Sequence, residues 1–347
     1  MFPLFSPMLI YEWMLKLNFP KRKLGLRSIL NLMGDGAAIL AGQFTLFDLS
    51  IFHEFEPPPT GGGHQFLRAL WKQAEAKGLC VENNTISRTT RACLFNSFNF
   101  RESRLVRLRR SSVLYVHRVD GPIDVYRGRE DGVDKNIHAV NLKFAEKTIF
   151  QSQYSLQKHL ELGMEFKNPV VIMNAADPDI FHSHGRAEFS RNRKTRLIAS
   201  SWSDNVNKGA PVYQWLDEHL DWKRFEMTFV GRSPVVFKNI RMVPAVDSYR
   251  MAELFHEHDI YITASRNDPC SNSLIEALTC GMPAVYLKSG GHPEIVGGAG
   301  AGFDEVEELP GLLEQVTGQY EAFQSQISIP SIREVGEEYL KVLELIP

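Results

Sequence analysis

One stretch near the carboxyl end decides how the rest of the chain is interpreted: Asn267-Asp-Pro-Cys-Ser-Asn-Ser-Leu-Ile-Glu-Ala-Leu-Thr-Cys-Gly-Met-Pro-Ala-Val285. An apolar run at 259–265 precedes it and another begins at Pro283, and both are typical of buried strands. Between them, the apolar residues from Ser273 to Cys280 fall on one helical stripe, which predicts a helix that ends at Gly281. The sequence therefore predicts a unit of strand, polar loop, helix and strand.

The polar loop of this unit has the chemistry of an anion site. In a parallel sheet, ligands bind outside the carboxyl ends of the strands, where a loop leads into a helix N-terminus whose free amides and dipole favour negative charge. The backbone amides expected to face such a ligand are those of Cys270, Ser271, Asn272 and Ser273. Asp268 in the loop and Glu276 in the helix can accept hydrogen bonds from hydroxyl groups. This combination suits a ligand that carries both phosphate and sugar hydroxyls.

The same stretch resembles the donor-binding segment of GT-B glycosyltransferases, especially the large retaining family called GT4. That family has one glutamate in the loop and a second in the helix, followed by Ala and later by Gly, any residue and Pro. Glu276-Ala277 and Gly281-Met282-Pro283 match, whereas Asp268 stands at the first glutamate position. The resemblance implies that Glu276 holds the ribose of a nucleotide sugar and that the catalytic residue Asp268 contacts a hydroxyl of the transferred sugar.

Composition fits a globular chain of two ordinary domains. The chain has 347 residues, of which 44% are hydrophobic and 23% charged, and its formal net charge of -2 gives no indication of a nucleic-acid partner. Its cysteines, Cys80, Cys93, Cys270 and Cys280, form neither a CxxC motif nor a metal-ligand spacing with histidines. Free thiols in a reducing compartment are the simplest interpretation, which predicts a cytoplasmic protein.

Residues 1–45 leave two interpretations open. The segment from Phe2 to Phe19 is apolar but interrupted by Pro and charged residues, and the basic cluster at 21–23 follows it. That order is wrong for a signal peptide, and the interruptions argue against a spanning helix. Either the segment is a weak membrane-surface anchor, or it is an extension packed on the N-terminal domain, which composition favours.

A glycine-rich turn opens the first α/β domain. Gly61, Gly62 and Gly63 stand between a predicted strand at 46–55 and a predicted helix at 64–77, so a ligand can approach the backbone there. The spacing is not the dinucleotide fingerprint, and a flexible turn remains the alternative. The resemblance favours a binding role, because GT4 N-terminal domains begin with a strand, a Gly-Gly pair and a helix.

A second polar turn follows a predicted strand at 112–116. His117 has the chemistry for proton handling, Arg118 for an anionic group and Asp120 for a hydroxyl. A histidine at a strand end can also be a structural hydrogen-bonding residue. The resemblance implies that this turn faces the cleft on the acceptor side, with His117 acting in catalysis by shaping the acceptor site.

Asp177-Pro178-Asp179 also allows two interpretations. A pair of carboxylates at this spacing occurs at the metal site of GT-A glycosyltransferases. Asn174, the small residues after it and Phe181 instead resemble the interdomain connection of GT4 enzymes. We interpret the segment as a linker and expect no metal or other cofactor.

The diphosphate is expected to bind at the loop after a predicted strand at 196–200. GT4 enzymes carry an Arg there and, later in the same loop, a Lys-Gly pair, and both cations grip the donor diphosphate. Lys208-Gly209 matches the pair, but Ser203 stands at the Arg position. The resemblance therefore implies that Lys208 is the main catalytic cation, with the Ser203 hydroxyl beside it. Arg232 follows a predicted strand at 225–231, and this position makes it a candidate substitute cation.

The prediction for the whole chain is an α/β protein of GT-B type, with two doubly wound Rossmann-like domains facing a cleft. The segments are an extension, an acceptor-side domain, a linker, a nucleotide-sugar domain and a helix returning to the first domain, at 1–45, 46–180, 181–194, 195–330 and 331–347. The resemblance implies an enzyme that transfers a sugar from a nucleotide-diphosphate sugar to a hydroxyl of a glycan, lipid or small molecule, with retention and without a metal. A GT-B nucleotide-sugar epimerase, a degenerate GT-B binding domain and a GT-A enzyme that uses Asp177 and Asp179 remain alternatives.

Overall fold

The computed structural model describes residues 46–57, 62–203 and 205–347. The two interpretations of residues 1–45 and the predicted role of Gly61 lie outside these residues. Leu46–Pro347 forms one compact unit, which contains two sheets. Across the described ranges, no helix combines the length and the apolar character that crossing a bilayer requires.

The first domain is a parallel sheet of six strands in the order β2-β1-β3-β4-β5-β6. The strands are β1 (Leu49–Phe52), β2 (Val81–Asn83), β3 (Ala92–Asn96), β4 (Leu114–Val119), β5 (Lys147–Phe150) and β6 (Pro169–Val171). The helices are α1 (Gly62–Ala76), α2 (Glu102–Leu108), α3 (Ile123–Arg127), α4 (Val133–Phe144) and α5 (Gln153–Glu161). Every residue of β1 and β3 is buried, because helices cover both faces of a parallel sheet.

The second domain is a parallel sheet of six strands in the order β12-β11-β10-β7-β8-β9. The strands are β7 (Thr195–Ser201), β8 (Phe225–Gly231), β9 (Arg241–Val243), β10 (Ile260–Thr263), β11 (Ala284–Leu287) and β12 (Gly300–Phe303). The helices are α6 (Ala210–His219), α7 (Ser248–Glu257), α8 (Asn272–Thr279), α9 (His292–Val296), α10 (Leu309–Gly318) and α11 (Tyr320–Ser325), and the chain ends with a further helix, α12 (Ile332–Val342). The predicted fold class is confirmed, and β10, α8 and β11 form the predicted unit of strand, helix and strand.

The strand order creates one crevice in each sheet. The side of the sheet to which successive strands are added changes between β1 and β3 in the first sheet, and between β7 and β10 in the second. At such switch points the loops after adjacent strands turn to opposite faces and leave room for a ligand. The loops that carry Lys208 and Asp268 follow β7 and β10, the two strands beside the second switch point, and Asp120 follows β4, the neighbour of β3.

The last helix packs against the first domain. Tyr339 of α12 lies with its ring centre 5.5 Å from that of Phe66 in α1. Lys77 and Glu337 form an ion pair of 2.5 Å between the same two helices. Apolar residues of α12 share one buried cluster with β1, β3 and α1, so this helix completes the core of the first domain.

The Asp177 and Asp179 carboxylates bind an ammonium group. Lys72 Nζ lies 2.8 Å from Asp177 Oδ2 and 3.2 Å from Asp179 Oδ2, which ties the connection between the domains to α1. No group of three or more His, Cys, Asp or Glu side chains that could hold a metal occurs in the described ranges.

Candidate active site

A cleft of about 320 Å³ lies at the carboxyl ends of the strands of both sheets. Of the residues singled out in the sequence, it gathers Gly62, Gly63, Asp120, Ser203, Lys208, Asp268, Cys270, Ser271, Asn272, Ser273 and Glu276. Each side of the cleft comes from a different domain, because the two switch points face each other.

The loop before α8 is held by a glycine turn. A Cβ on Gly290 would lie 2.2 Å from the Asp268 carbonyl oxygen, so only glycine allows this approach. The Gly291 amide donates a hydrogen bond of 2.9 Å to the same oxygen. The Asp268 backbone therefore has a fixed position at the edge of the cleft.

The first turn of α8 is open to an anion. Ser271 is the N-cap residue, and its side chain makes no capping hydrogen bond, so it leaves the first amides of the helix to other partners. The Cys270 amide faces the Asp268 carboxylate and helps to lower its pKa. The amides that remain for a ligand are those at the start of α8, which contribute the positive end of the helix dipole.

Lys208 and Asp268 form an ion pair inside the cleft. Lys208 Nζ lies 3.1 Å from Asp268 Oδ2, and the two side chains are 22% and 8% exposed. Burial lowers the pKa of Lys208, but the Asp268 carboxylate outweighs it and raises that pKa above the usual range. Burial raises the pKa of Asp268, but Lys208 and then His292 outweigh it and lower that pKa. Both groups are therefore charged at neutral pH.

Gly209 fixes the position of Lys208. Its φ is +84°, and a Cβ there would lie 2.5 Å from both the Ala264 carbonyl oxygen and the Ala264 Cβ. The glycine thus lets the start of α6 press against the end of β10. This contact brings the Lys208 loop beside the Asp268 loop.

Glu276 extends into the cleft from α8 without a partner. No described residue donates a hydrogen bond to its carboxylate, and burial raises its pKa to about 8. Desolvation of a carboxylate favours the neutral form unless a hydrogen-bond donor compensates. A ligand that brings hydroxyl donors would supply that compensation.

The predicted second cation does not reach the cleft. Arg232 is exposed after the end of β8 and does not line the cleft. The prediction that it serves as a substitute cation there is therefore wrong. Ser203 lines the cleft, and its hydroxyl accepts a hydrogen bond of 3.1 Å from the Asn205 amide. Lys208 is therefore the one cation among the described lining residues.

Gly62 brings the first domain into contact with α8. A Cβ on Gly62 would lie 2.3 Å from the Cβ of Asn272, so no side chain fits between the start of α1 and the start of α8. Gly63 lines the same cleft and has open space where a Cβ would be. The glycine-rich turn thus permits a close approach between the two domains.

His117 lies in the core of the first domain, away from the cleft, which corrects the expectation that it shapes the acceptor site. Its Nε2 donates to the Ser97 carbonyl oxygen at 3.0 Å, and its Nδ1 accepts from Asn141 Nδ2 at 3.1 Å. The ring stacks on Phe95 at 4.4 Å between centres. Burial lowers the pKa of His117 to about 3, so the ring is neutral and both of its nitrogens are used.

We expect His117→Ala to lower the free energy of unfolding by roughly 3 kcal/mol, because it removes a packed ring and leaves buried polar groups unpaired. The kcat of the folded fraction should stay within about twofold of wild type. Denaturant unfolding and initial-rate kinetics check the two quantities separately, with the exposed His219→Ala as control. A large loss of kcat at unchanged stability would restore a catalytic role for His117.

Arg118 is also internal, but it holds a residue that does face the cleft. Its guanidinium is fully buried and donates to Asp120 Oδ1 at 2.8 Å, Asn96 Oδ1 at 2.6 Å and Asn174 Oδ1 at 3.0 Å. The prediction that Arg118 contacts an anionic ligand is therefore wrong, because its guanidinium binds protein side chains instead. Asp120 lines the cleft with its side chain 29% exposed, and Gln151 also donates to it.

The sequence of the second domain matches a known family. Residues 236–310 match the model of the family described as glycosyl transferases group 1. The matched segment lies within the second domain. The chain is accordingly a transferase enzyme of the glycosyltransferase class, and the matched segment contains the Asp268 loop, α8 and the glycine turn.

Solved structures share the fold across both domains of this glycosyltransferase. Sucrose-phosphate synthase from Thermosynechococcus elongatus is 12% identical, with a TM-score of 0.63 over 87% of this chain and 94% of that chain. HepE from Anabaena, in complex with UDP and glucose, is 14% identical, with a TM-score of 0.63 over 87% and 100% of the two chains. The catalytic domain of starch synthase IV from Arabidopsis thaliana, bound to ADP and acarbose, is 12% identical, with a TM-score of 0.62 over 86% and 99%. Among curated proteins, none matches in sequence.

Several contacts of this glycosyltransferase join the domains and were not predicted from the sequence. The Glu294 carboxylate accepts hydrogen bonds of 2.9 Å from the amides of both Gln153 and Tyr154, so it caps α5 of the other domain. The Tyr154 hydroxyl donates to Asn267 Oδ1 at 3.1 Å. Asn174 Nδ2 donates to Asn272 Oδ1 at 3.0 Å. Glu294 itself lies in the first turn of α9, so no local pattern indicates its contact with the distant helix.

Proposed function

We propose that this glycosyltransferase moves a sugar from a nucleoside-diphosphate sugar to an acceptor hydroxyl, with retention of configuration and without a bound metal, as in the GT4 family. One observation carries the proposal. The Lys208–Asp268 pair, the uncapped start of α8 and the unpartnered Glu276 carboxylate converge in one cleft. A cation with free amides suits a diphosphate, and a carboxylate suits a sugar diol.

The donor is held along α8 and the Lys208 loop. Glu276 accepts hydrogen bonds from the two ribose hydroxyls, which compensates the desolvation that raises its pKa. Lys208 and the first amides of α8 bind the diphosphate. Asp268, beside Lys208, accepts a hydrogen bond from a hydroxyl of the transferred sugar. The UDP in the HepE complexes and the ADP bound to starch synthase IV support a nucleotide as the ligand.

In the transfer step, the bond between the anomeric carbon and the diphosphate oxygen breaks, and its electron pair stays on the leaving phosphate. The acceptor oxygen bonds to the same face of the anomeric carbon, and its proton moves to the leaving phosphate oxygen. Asp268 is paired with Lys208, which argues against its acting as a nucleophile. Catalysis then consists of stabilising the developing phosphate charge with Lys208 and the α8 amides.

On the acceptor side, Asp120 takes the position that His117 does not fill. Its carboxylate is held by the buried Arg118 and is directed to the cleft. It can accept a hydrogen bond from the acceptor hydroxyl and orient that oxygen for attack. The acceptor is a hydroxyl of a glycan, lipid or small molecule.

We assign the enzyme to the cytoplasm, because all four cysteines are free thiols. The proposal includes a weak contact between residues 1–45 and a membrane surface.

The test is thermal stability of the full chain with UDP, GDP, ADP, CMP and dTDP, each with and without EDTA. Binding to the native state raises the melting temperature, and a ligand at 100 times its Kd adds about 2.7 kcal/mol of stability. We expect one nucleotide to give a shift that EDTA leaves unchanged. A shift abolished by EDTA would overturn metal independence, and no shift with any nucleotide would overturn the proposed donor class.

A degenerate binding domain is the second candidate, because Lys208 is the one cation among the described lining residues. Incubation with the sugar form of the responding nucleotide separates the candidates. Sugar transfer, or slow hydrolysis of the donor in the absence of acceptor, supports the enzyme. An isomerised donor without transfer would indicate an epimerase, and binding without any turnover would indicate the binding domain.

A further inference from the structure

Among the described lining residues, the proposed diphosphate site has one cation, Lys208. Lys208 already shares its charge with Asp268, and Ser203 contributes only a hydroxyl. Negative charge on the leaving phosphate increases as the glycosidic bond breaks, so further hydrogen-bond donors are needed there. The candidate donor has to lie near Lys208 within the cleft.

Tyr126 of α3 lies at that point. It lines the cleft from the first domain, and Lys208 Nζ lies 4.8 Å from the centre of its ring. The phenol also interacts with both Lys208 and Asp268. Burial raises the pKa of Tyr126, so its hydroxyl keeps its proton and is able to donate it in a hydrogen bond.

The backbone of Tyr126 is held by both domains. Asp134 accepts hydrogen bonds from the amides of Ile123 and Asp124 at 2.7 and 2.8 Å, which fixes the start of α3. Asn207, next to Lys208 in the chain, donates to the Tyr126 carbonyl oxygen at 3.0 Å. The Tyr126 backbone is therefore bonded directly to the loop that carries Lys208.

We propose that Tyr126 is a further catalytic residue, whose hydroxyl donates a hydrogen bond to the terminal phosphate of the leaving nucleoside diphosphate. This inference rests on the proposed function. It means that the second domain supplies the charge of Lys208 and the first domain supplies the additional donor. The leaving-group site is then complete only while the first domain contacts the Lys208 loop.

The test compares Tyr126→Phe with wild type in the full chain. The probes are the diphosphate and the monophosphate of the nucleoside that responds in the thermal panel. We expect the affinity for the diphosphate to fall about tenfold and that for the monophosphate to stay unchanged, because only the diphosphate carries the terminal phosphate. The kcat for sugar transfer should fall on the order of 10²-fold, as when one oxyanion donor is removed. The substitution keeps an aromatic ring beside Lys208. Equal melting temperatures of the variant and the wild type verify that the variant folds.

Tyr154→Phe is the matched control, since it also removes a tyrosine hydroxyl that bonds across the two domains, but Tyr154 does not line the cleft. Its ratio of diphosphate to monophosphate affinity should equal that of wild type. A double-mutant cycle with Lys208→Ala separates contact from positioning. If Tyr126→Phe still weakens diphosphate binding without Lys208, the hydroxyl contacts the phosphate. If the effect disappears, Tyr126 acts only through Lys208, and the inference is overturned.

A wild-type affinity ratio and a wild-type kcat in Tyr126→Phe would also overturn the inference, and the proposed function would stand. A wild-type chain that binds neither the diphosphate nor its sugar form would overturn the proposed function itself. The two failures are therefore distinguishable from the same set of measurements.

Discussion

Lys208→Ala is expected to lower the kcat of sugar transfer by 10²-fold or more, which corresponds to about 3 kcal/mol of lost transition-state stabilisation. The physical reason is that Lys208 is the one cation among the described lining residues, so no neighbour can replace its charge on the leaving phosphate. Initial rates at saturating donor measure the effect. A variant with near wild-type kcat/KM would remove Lys208 from this role.

The same change should also reduce stability, because it leaves the Asp268 carboxylate unpaired at 8% exposure. Loss of one partner of a buried pair costs on the order of 3 kcal/mol. Combining Lys208→Ala with Asp268→Asn removes the unpaired charge, so the melting temperature should recover while activity stays lost. Lys288→Ala, which breaks an exposed pair with Asp304, is the control. It should change kcat by less than about twofold and the free energy of unfolding by less than about 1 kcal/mol.

Glu276→Gln is expected to weaken nucleotide binding by at least about tenfold and to remove its pH dependence. Burial raises the pKa of Glu276 to about 8 in the empty protein, whereas ribose hydroxyls need the charged carboxylate as acceptor. Nucleotide affinity of the wild type should therefore rise with pH up to about 8 and then level off. Titrations between pH 6 and pH 9 measure this, and a flat wild-type profile would contradict the assignment.

The stability of the ligand-free chain should fall as pH rises, whereas nucleotide affinity should increase. Because the folded pKa of Glu276 lies above the ordinary glutamate value of 4.5, the wild type loses stability as pH rises from there to about 8. Glu276→Gln lacks that loss, so it should melt above wild type at pH 8 to 9 in the absence of nucleotide. Glu307→Gln, an exposed substitution, should melt like wild type.

The sequence predicted which residues of the second domain meet in the cleft, with the exception of Arg232. Strand, loop and helix follow from local periodicity, and the loop after a parallel strand lies at a known edge of the sheet. For that reason the sequence alone was enough to assign Asp268 and Glu276 to the cleft, and Lys208 followed from its motif. The unpartnered state of Glu276 depends on side chains distant in sequence and could not be predicted.

The acceptor side was harder, because a strand end does not specify the direction of each side chain. Successive residues of a strand point to opposite faces. In β4 this directs His117 into the core and Arg118 under the cleft, and the residue that lines the cleft is Asp120. Contacts between domains, such as Glu294 with α5, require the relative position of both domains, which no local pattern contains.

The packing of α12 has a consequence for synthesis on the ribosome. The core of the first domain includes Ile332, Tyr339 and Leu340, which are translated only after the entire second domain. Domains generally fold as units when their chain is available. The domain that is translated first is thus the one whose fold is completed last, and a nascent chain that stops before residue 332 presents an unfilled apolar surface to chaperones.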